Sequence, residues 1–214
     1  MSILHAQNTL IMRYIYLLLA GMLACANVGA QEMKRLEPDL SDYLPLLKRA
    51  GYEAFPFDIS SLNGESYDIM FTTKEYEKGE YKRDVSPTIL FPSERIQSYG
   101  KLTIGLSPAV DSIRTVTLSV ENAGMSMRRL VLRPLEGLEG QERSEKYFYE
   151  ARPFEVGPLQ PDVFTPLLLV GSYWYDSGAF RFCGEREFPA DMSSRTLEHL
   201  PHYYVIGITL KKQE

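Results

Sequence analysis

The sequence predicts a mainly β protein, a β-sandwich or jelly-roll-like fold with one short N-terminal helix. Three observations predict it. Roughly nine or ten short segments alternate apolar and polar residues, the two-residue period of half-buried strands. Turn residues such as Asn63-Gly64, Glu77-Lys78-Gly79-Glu80, Ser107-Pro108 and Asp176-Ser177-Gly178 separate them. Only one stretch, Leu36 to Ala50, keeps helical spacing. No Ser- or Gly-rich linker, low-complexity run or fixed-period repeat divides the 214 residues.

The first thirty residues read as a signal peptide. Met12-Arg13 is a short basic start, Tyr14 to Ala26 is apolar, and Val28-Gly29-Ala30 offers the small residues of a cleavage site. Residues 1–11 look like a gene-start artefact, with Met12 the true start, or else a long leader. The apolar run is too short for a membrane span. Met22-Leu23-Ala24-Cys25 also partly matches a lipobox, so a lipid anchor at Cys25 is the alternative to cleavage before Gln31. The remaining residues, 31–214, form one β-rich domain. Losing Arg13 takes the 23 cations to 22 against 28 acids, a net charge of −6. That balance argues against a nucleic-acid partner, which selects a basic face. Cys183 is then the one thiol left, expected as a small buried hydrophobe.

In the helix, Leu40, Tyr43, Leu44 and Leu47 recur at three- and four-residue steps, and Gly51 supplies the stop. Pro45 fits if the helix starts at Ser41 or Asp42 and the proline falls in its first turn. The helix is expected to cover an open edge or end of the sandwich. Phe55, Phe57 and Ile59 then alternate as a first strand, and Tyr67 to Tyr76 form a second. Lys74, Glu75, Glu77, Lys78, Glu80, Lys82 and Arg83 interleave both signs, as on a solvated hairpin tip. The prolines around Ser86 to Pro92 suit an edge strand or connector. Leu102, Ile104 and Leu106, then Val116, Leu118 and Val120, then Leu130 and Leu132 mark three more strands. Tyr147-Phe148-Tyr149 opens another, Gly157 to Pro166 is irregular, and Pro189 to Pro201 is a polar connector with one helical turn. Tyr203 to Lys211 is the last strand.

Leu167 to Cys183 is the most apolar stretch after the signal and holds the only tryptophan. It reads as a hairpin. A three-residue loop at Asp176-Ser177-Gly178 places Trp174 opposite Phe180 and puts Leu168, Val170, Trp174, Phe180 and Phe182 on one face. A two-residue turn at Ser177-Gly178 would instead gather Tyr173, Tyr175, Phe180 and Phe182 and turn Trp174 toward Arg181; the three-residue register is preferred.

The search for chemistry is brief. No phosphate-binding loop and no Gly-x-Ser-x-Gly elbow is present. His199 and His202, with Cys183 and Glu185, have no recognised zinc spacing and are read as loop residues, so no metal and no cofactor is expected. A glycosidase needs two acids across the scissile bond. Glu185 and Glu187 would stand about 7 Å apart on one strand face, Glu150 and Glu155 flank Arg152, and Asp176 adjoins the aromatic triplet. Rings that combine apolar area with a polar handle suit a sugar-stacking face. Tyr173, Trp174, Tyr175 and Arg181 are therefore the candidate ligand-binding residues.

The Gly29-Ala30-Gln31-Glu32 signal end, the short helix, and Tyr67-Asp68-Ile69-Met70-Phe71 with Lys74-Glu75-Tyr76-Glu77-Lys78-Gly79 resemble exported proteins of unknown function from Bacteroides-type bacteria. The resemblance implies an envelope location in a glycan-using organism and assigns no residue a role. The expected protein is an exported, non-catalytic envelope domain in the periplasm or at the cell surface, binding a glycan or another envelope protein. The alternatives are a carboxylate-based glycoside hydrolase, or an assembly or adhesion component that recruits a partner strand to an exposed edge.

Overall fold

The computed structural model describes residues 12–14, 33, 35–135, 147–182 and 184–213. Cys25, Cys183 and nearly all of the expected signal segment lie outside the described residues. The chain divides into an N-terminal unit, Met1–Leu40, and a compact unit, Ser41–Glu214, which carries the sheets. Among the described residues no helix is long and apolar enough to cross a membrane.

The protein is mainly β and sandwich-like. Helix α1 spans Leu40–Arg49. It starts ahead of the expected Ser41 or Asp42, so Pro45 falls in the second turn and not the first. Gly51 ends it with φ +84°. The Tyr52 N–H reaches Leu47 O and the Gly51 N–H reaches Lys48 O, both at 3.0 Å, the paired bonds of a Schellman cap. The helix does not cover an edge of the sandwich as expected: none of its residues is buried.

Among the described residues eleven strands follow: β1 Glu53–Asp58, β2 Tyr67–Glu77, β3 Glu80–Phe91, β4 Lys101–Leu106, β5 Ile113–Val120, β6 Gly124–Val131, β7 Tyr149–Pro153, β8 Thr165–Ser172, β9 Trp174–Asp176, β10 Ala179–Arg181 and β11 Tyr203–Lys212. Sheet one has the order β1-β4-β5-β6 and sheet two the order β3-β2-β11-β8-β7, with β9 and β10 a separate ribbon. The named pairs are antiparallel. Asn63-Gly64 does turn the chain, but it carries β1 of sheet one across to β2 of sheet two rather than closing a hairpin. The Asn63 amide pairs with the Tyr99 backbone at 2.7 and 2.9 Å, which fixes the crossing.

Alternation builds the core. Leu102, Ile104, Val116 and Leu118 from sheet one meet Ile69, Phe71, Val170 and Ile206 from sheet two. A second cluster lies on the far side of sheet two: Leu169, Tyr203 and Val205 pack with Phe154, Phe188, Leu197 and Leu200 of the covering segments. Sheet two is therefore a middle layer. Its inner strands β8 and β11 are apolar along both faces because both faces are covered.

The β9–β10 ribbon takes the register that sequence reasoning ranked second. Phe180 pairs with Tyr175 and Arg181 with Trp174. Ser177 and Gly178 both have positive φ, 52° and 87°, which makes a two-residue turn of the mirror-image type. That turn matches the twist of the strands, whereas the expected three-residue loop would shift every side chain to the opposite face. Trp174 is half-buried at the margin of the second cluster, not the centre of the main core.

Strand β11 carries one position that only glycine fits. A Cβ on Gly207 would stand 2.3 Å from Thr165 O and 2.6 Å from the Phe164 ring. The β8–β11 register shifts between Ile206 and Gly207, and Lys74 Nζ sits 4.2 Å over the Phe164 ring. Gly207→Ala is expected to lower stability by about 1–3 kcal/mol through overpacking. Urea unfolding checks this; an unchanged midpoint would mean that the Thr165 backbone and the Phe164 ring both give way.

Candidate functional site

Strand β2 is the starting point. Its inward positions run Ile69, Phe71, Thr73, Glu75, and all four are buried. The alternation that fills the core therefore drives a carboxylate into it. The expectation of a solvated hairpin tip holds for the residues around Glu80 but fails for Glu75, which is 2% exposed. A charge in that position must be paired and hydrogen-bonded. Strand β3 supplies Arg83, whose Nε is 2.6 Å from Glu75 Oε2 across the ladder. The segment after β6 supplies Arg133, whose Nη2 is 2.7 Å from Glu75 Oε1 and whose Nη1 holds Glu77. The residue before β11 supplies His202, whose Nε2 is 3.0 Å from Glu75 Oε1.

The network fixes the imidazole tautomer. Glu75 is ionised, so His202 Nε2–H donates to it. Nδ1 then accepts the phenol proton of Tyr149 at 2.5 Å. The phenol oxygen in turn accepts the Arg133 backbone N–H at 3.1 Å. The main chain closes the group: the Ser172 N–H donates to His202 O at 2.9 Å and the His202 N–H to Ser172 Oγ at 3.2 Å. Six strands, β2, β3, β6, β7, β8 and β11, supply or immediately adjoin these residues, so the cluster spans both sheets.

Electrostatics follows from that packing. Burial opposes the Glu75 charge, but hydrogen bonds from Arg83, His202 and Arg133 together outweigh it and hold the carboxyl at about 2. Burial holds the His202 imidazole below its ordinary range against the pull of Glu75, and Arg133 adds to the lowering. Burial raises the Tyr149 phenol, and raises Tyr204 to about 12. Above the network lies a cleft of about 390 Å³ lined by Glu77, Lys78, Arg133, Pro134, Leu135, Tyr149, Ser172, Pro201 and His202.

The predicted ligand residues lie beside this cleft, on the other side of the same strand ends. Tyr149 and Ser172 are register partners, and the next pair outward, Phe148 and Tyr173, roots the ribbon: Tyr173 N–H donates to Phe148 O at 2.9 Å and their rings are 4.5 Å apart. From there the rings run in contact. Tyr173 lies 5.0 Å from Phe182, Phe148 6.0 Å from Phe180, and Phe180 5.4 Å from Tyr175. The Tyr173 hydroxyl donates to Glu150, Arg152 pairs with the same carboxylate, and its guanidinium lies 5.2 Å from the Phe182 centroid. Tyr173 and Tyr175 thus share an aromatic face. Trp174 and Arg181 are paired on the opposite face, and Arg181 is bonded to Asp176 at 2.9 Å.

The model of a protein family, the domain of unknown function DUF5041, matches residues 22–212, almost the whole chain. The chain belongs to the DUF5041 family. No curated protein and no solved structure matches it. One acid of each of the two glutamate pairs considered for a glycosidase is hydrogen-bonded in this DUF5041 domain. Glu185 accepts hydrogen bonds from Ser194 and Thr196, and Glu150 is held by Tyr173 and Arg152. His202 has both ring nitrogens engaged, and no cluster of three ligating side chains occurs among the described residues. The buried network is nearly silent in the sequence. Its one legible sign was the acid at an inward position of a strand otherwise apolar on that face.

The network makes stability depend on pH. The unfolded chain takes up a proton at His202 near 6.5, and the folded chain only below that, so stability is present above 6.5 and falls as the pH drops through it. Glu75 acts in the same direction lower down, with stability lost between its ordinary 4.5 and about 2. Thermal unfolding across pH 4–8 is expected to show the decline starting near 6.5, and His202→Gln to flatten its upper part. Glu75→Gln is expected to cost about 3 kcal/mol at pH 7, the low end for a broken buried pair because both arginines keep contact with water.

Proposed function

We propose that this DUF5041 domain is an exported, non-catalytic glycan-binding module of the cell envelope, and that the aromatic ribbon is its binding face. The observation that carries the reading is the chain of touching rings, Phe148–Phe180–Tyr175, whose ends are 39% and 43% exposed. Rings left in water on a rigid ribbon cost hydration free energy unless something covers them. A pyranose ring covers an aromatic face through its C–H groups while its hydroxyls need donors and acceptors at the margin. Glu150, Arg152 and the Tyr173 hydroxyl stand at the root end of the ribbon to meet them.

The cleft supports binding over chemistry. A general base needs an unoccupied lone pair facing the substrate. Among the described residues of the cleft and of the network beneath it, the His202 lone pair is taken by Tyr149, and Glu75 and Glu77 are held by arginine. Neither acid is lifted toward the range where it would act as a proton donor: hydrogen bonds, from Arg83, His202 and Arg133 at Glu75 and chiefly from Arg133 at Glu77, outweigh burial and lower both. The signal-like start supports export, and cleavage before Gln31 or acylation at Cys25 would leave the domain in the envelope.

Isothermal titration with a panel of soluble plant, host and microbial glycans tests the reading. One glycan class is expected to bind the wild type. Tyr175→Ala and Phe148→Ala are each expected to weaken it at least tenfold, while Trp174→Phe, on the opposite face, leaves it within about twofold. A panel that gives no heat, or binding that survives both ring truncations, removes the ribbon as a glycan site.

A further inference from the structure

The fold leaves two apolar surfaces bare, and they complement each other. The first is the face of α1. Tyr43, Leu44, Leu46 and Leu47 are 43% to 62% exposed, and they fall on one arc with Leu40, opposite Ser41, Lys48 and Arg49. A lone helix of ten residues is marginal in water, so an arc of this kind needs a cover. The Schellman cap and the close approach of Gly51 to Pro108 set the direction in which the helix leaves β1, and in that direction it buries none of its residues.

The second surface is the outer face of sheet one. Among the described residues, the covering segments that bury the far side of sheet two have no counterpart there. One row across the four strands reads Ala54, Gly105, Thr117, Met127. The next row ends in Met125, and a corner is formed by Ile113 against Val131. Met125, Met127 and Val131 are 61% to 67% exposed. Arg129, in the row of Thr115, lies between these rows and the corner, and the register partners Asp58 and Lys101 close the face at its other end.

We propose that the protein is a two-fold dimer in which α1 of each copy lies across the outer face of sheet one of the other. Three observations favour a second copy over another occupant. Both surfaces belong to one chain, so a single two-fold axis covers both at once. The lengths agree: ten helical residues span about 15 Å and four strands about 14 Å. Four large side chains at about 100 Å² each, matched on the sheet and doubled by symmetry, bury about 1,600 Å² in total, the size of a stable interface. A lipid surface would take the helix and leave the sheet face bare.

Sedimentation velocity on protein purified after expression of the whole chain tests this. The wild type is expected to run as a dimer at micromolar concentration. Met127→Lys and Leu44→Glu are each expected to run as monomers with unchanged far-UV circular dichroism, since both sites are exposed in the single chain. Mixing the two variants is expected to restore a dimer through the one intact helix-on-sheet contact. A wild type that stays monomeric at about 100 μM overturns the proposal. So does a dimer that Leu44→Glu breaks and Met127→Lys does not. Vesicles of mixed neutral and anionic phospholipid supply the contrasting arm: a monomer that floats with them through Leu44 assigns the helix to lipid instead.

Discussion

The rest of the structure depends on one buried carboxylate. Glu75 stands where the pleat of β2 calls for an apolar side chain, and two arginines and a histidine gather to it from elsewhere in the chain. Because an unpaired charge at that depth would cost several kcal/mol, the positions of its partners are not free. Arg133 draws the end of β6 in sheet one toward sheet two. His202 sets where β11 begins. Tyr149, held by the imidazole, sets the register of β7 on β8. The Tyr204 hydroxyl adds a neutral tie at the same end, donating to Val131 O at 2.7 Å. Hydrophobic burial is non-directional and would tolerate several registers here; the network is directional and permits one.

That constraint reaches the surface. Tyr149 and Ser172 are locked on one face of the sheet end, so the residues that follow them outward, Phe148 and Tyr173, are placed on the other. The ribbon is only three residue pairs long and has few hydrogen bonds of its own. Its rigidity comes from its root. Phe182 joins it to the second cluster, and Arg152 lies over that ring while holding Glu150. A short ribbon in water would otherwise be marginal. The aromatic face is thus an extension of the core's geometry and not a loop added to it.

Much of this architecture was legible in the sequence, because period and punctuation are local. Leu102-Thr103-Ile104 and Val116-Thr117-Leu118 alternate as strands must, and Lys78-Gly79 closes a hairpin as such a pair does. What was not legible is what depends on residues far apart in the chain. Glu75 and His202 are separated by 127 positions, and a buried acid and a solvated one look alike until the strand's partners are known. The ribbon register turned on whether Ser177 would accept a positive φ, which hydroxyl residues do at some cost and which the twist of the hairpin rewarded here. The helix was legible as a helix. Its lack of a partner was not, since amphipathicity says that a face must be covered and not by what.

The choice of an ionic cluster at this junction is itself informative. Replacing a buried ion pair by well-packed apolar groups of similar volume is often neutral or stabilising, and the surrounding positions, Ile69, Phe71 and Val170, show that this core has apolar side chains to offer. Stability alone therefore does not explain Glu75. Directionality does. A leucine there would pack against whatever β7 presented, and a slip of one residue in β7 would move Phe148 from the ribbon face to the cleft and Tyr149 from the cleft to the ribbon. The cluster forbids that slip, because only Tyr149 brings a hydroxyl to the imidazole. The buried charge is best understood as the device that keeps the aromatic face on the outside.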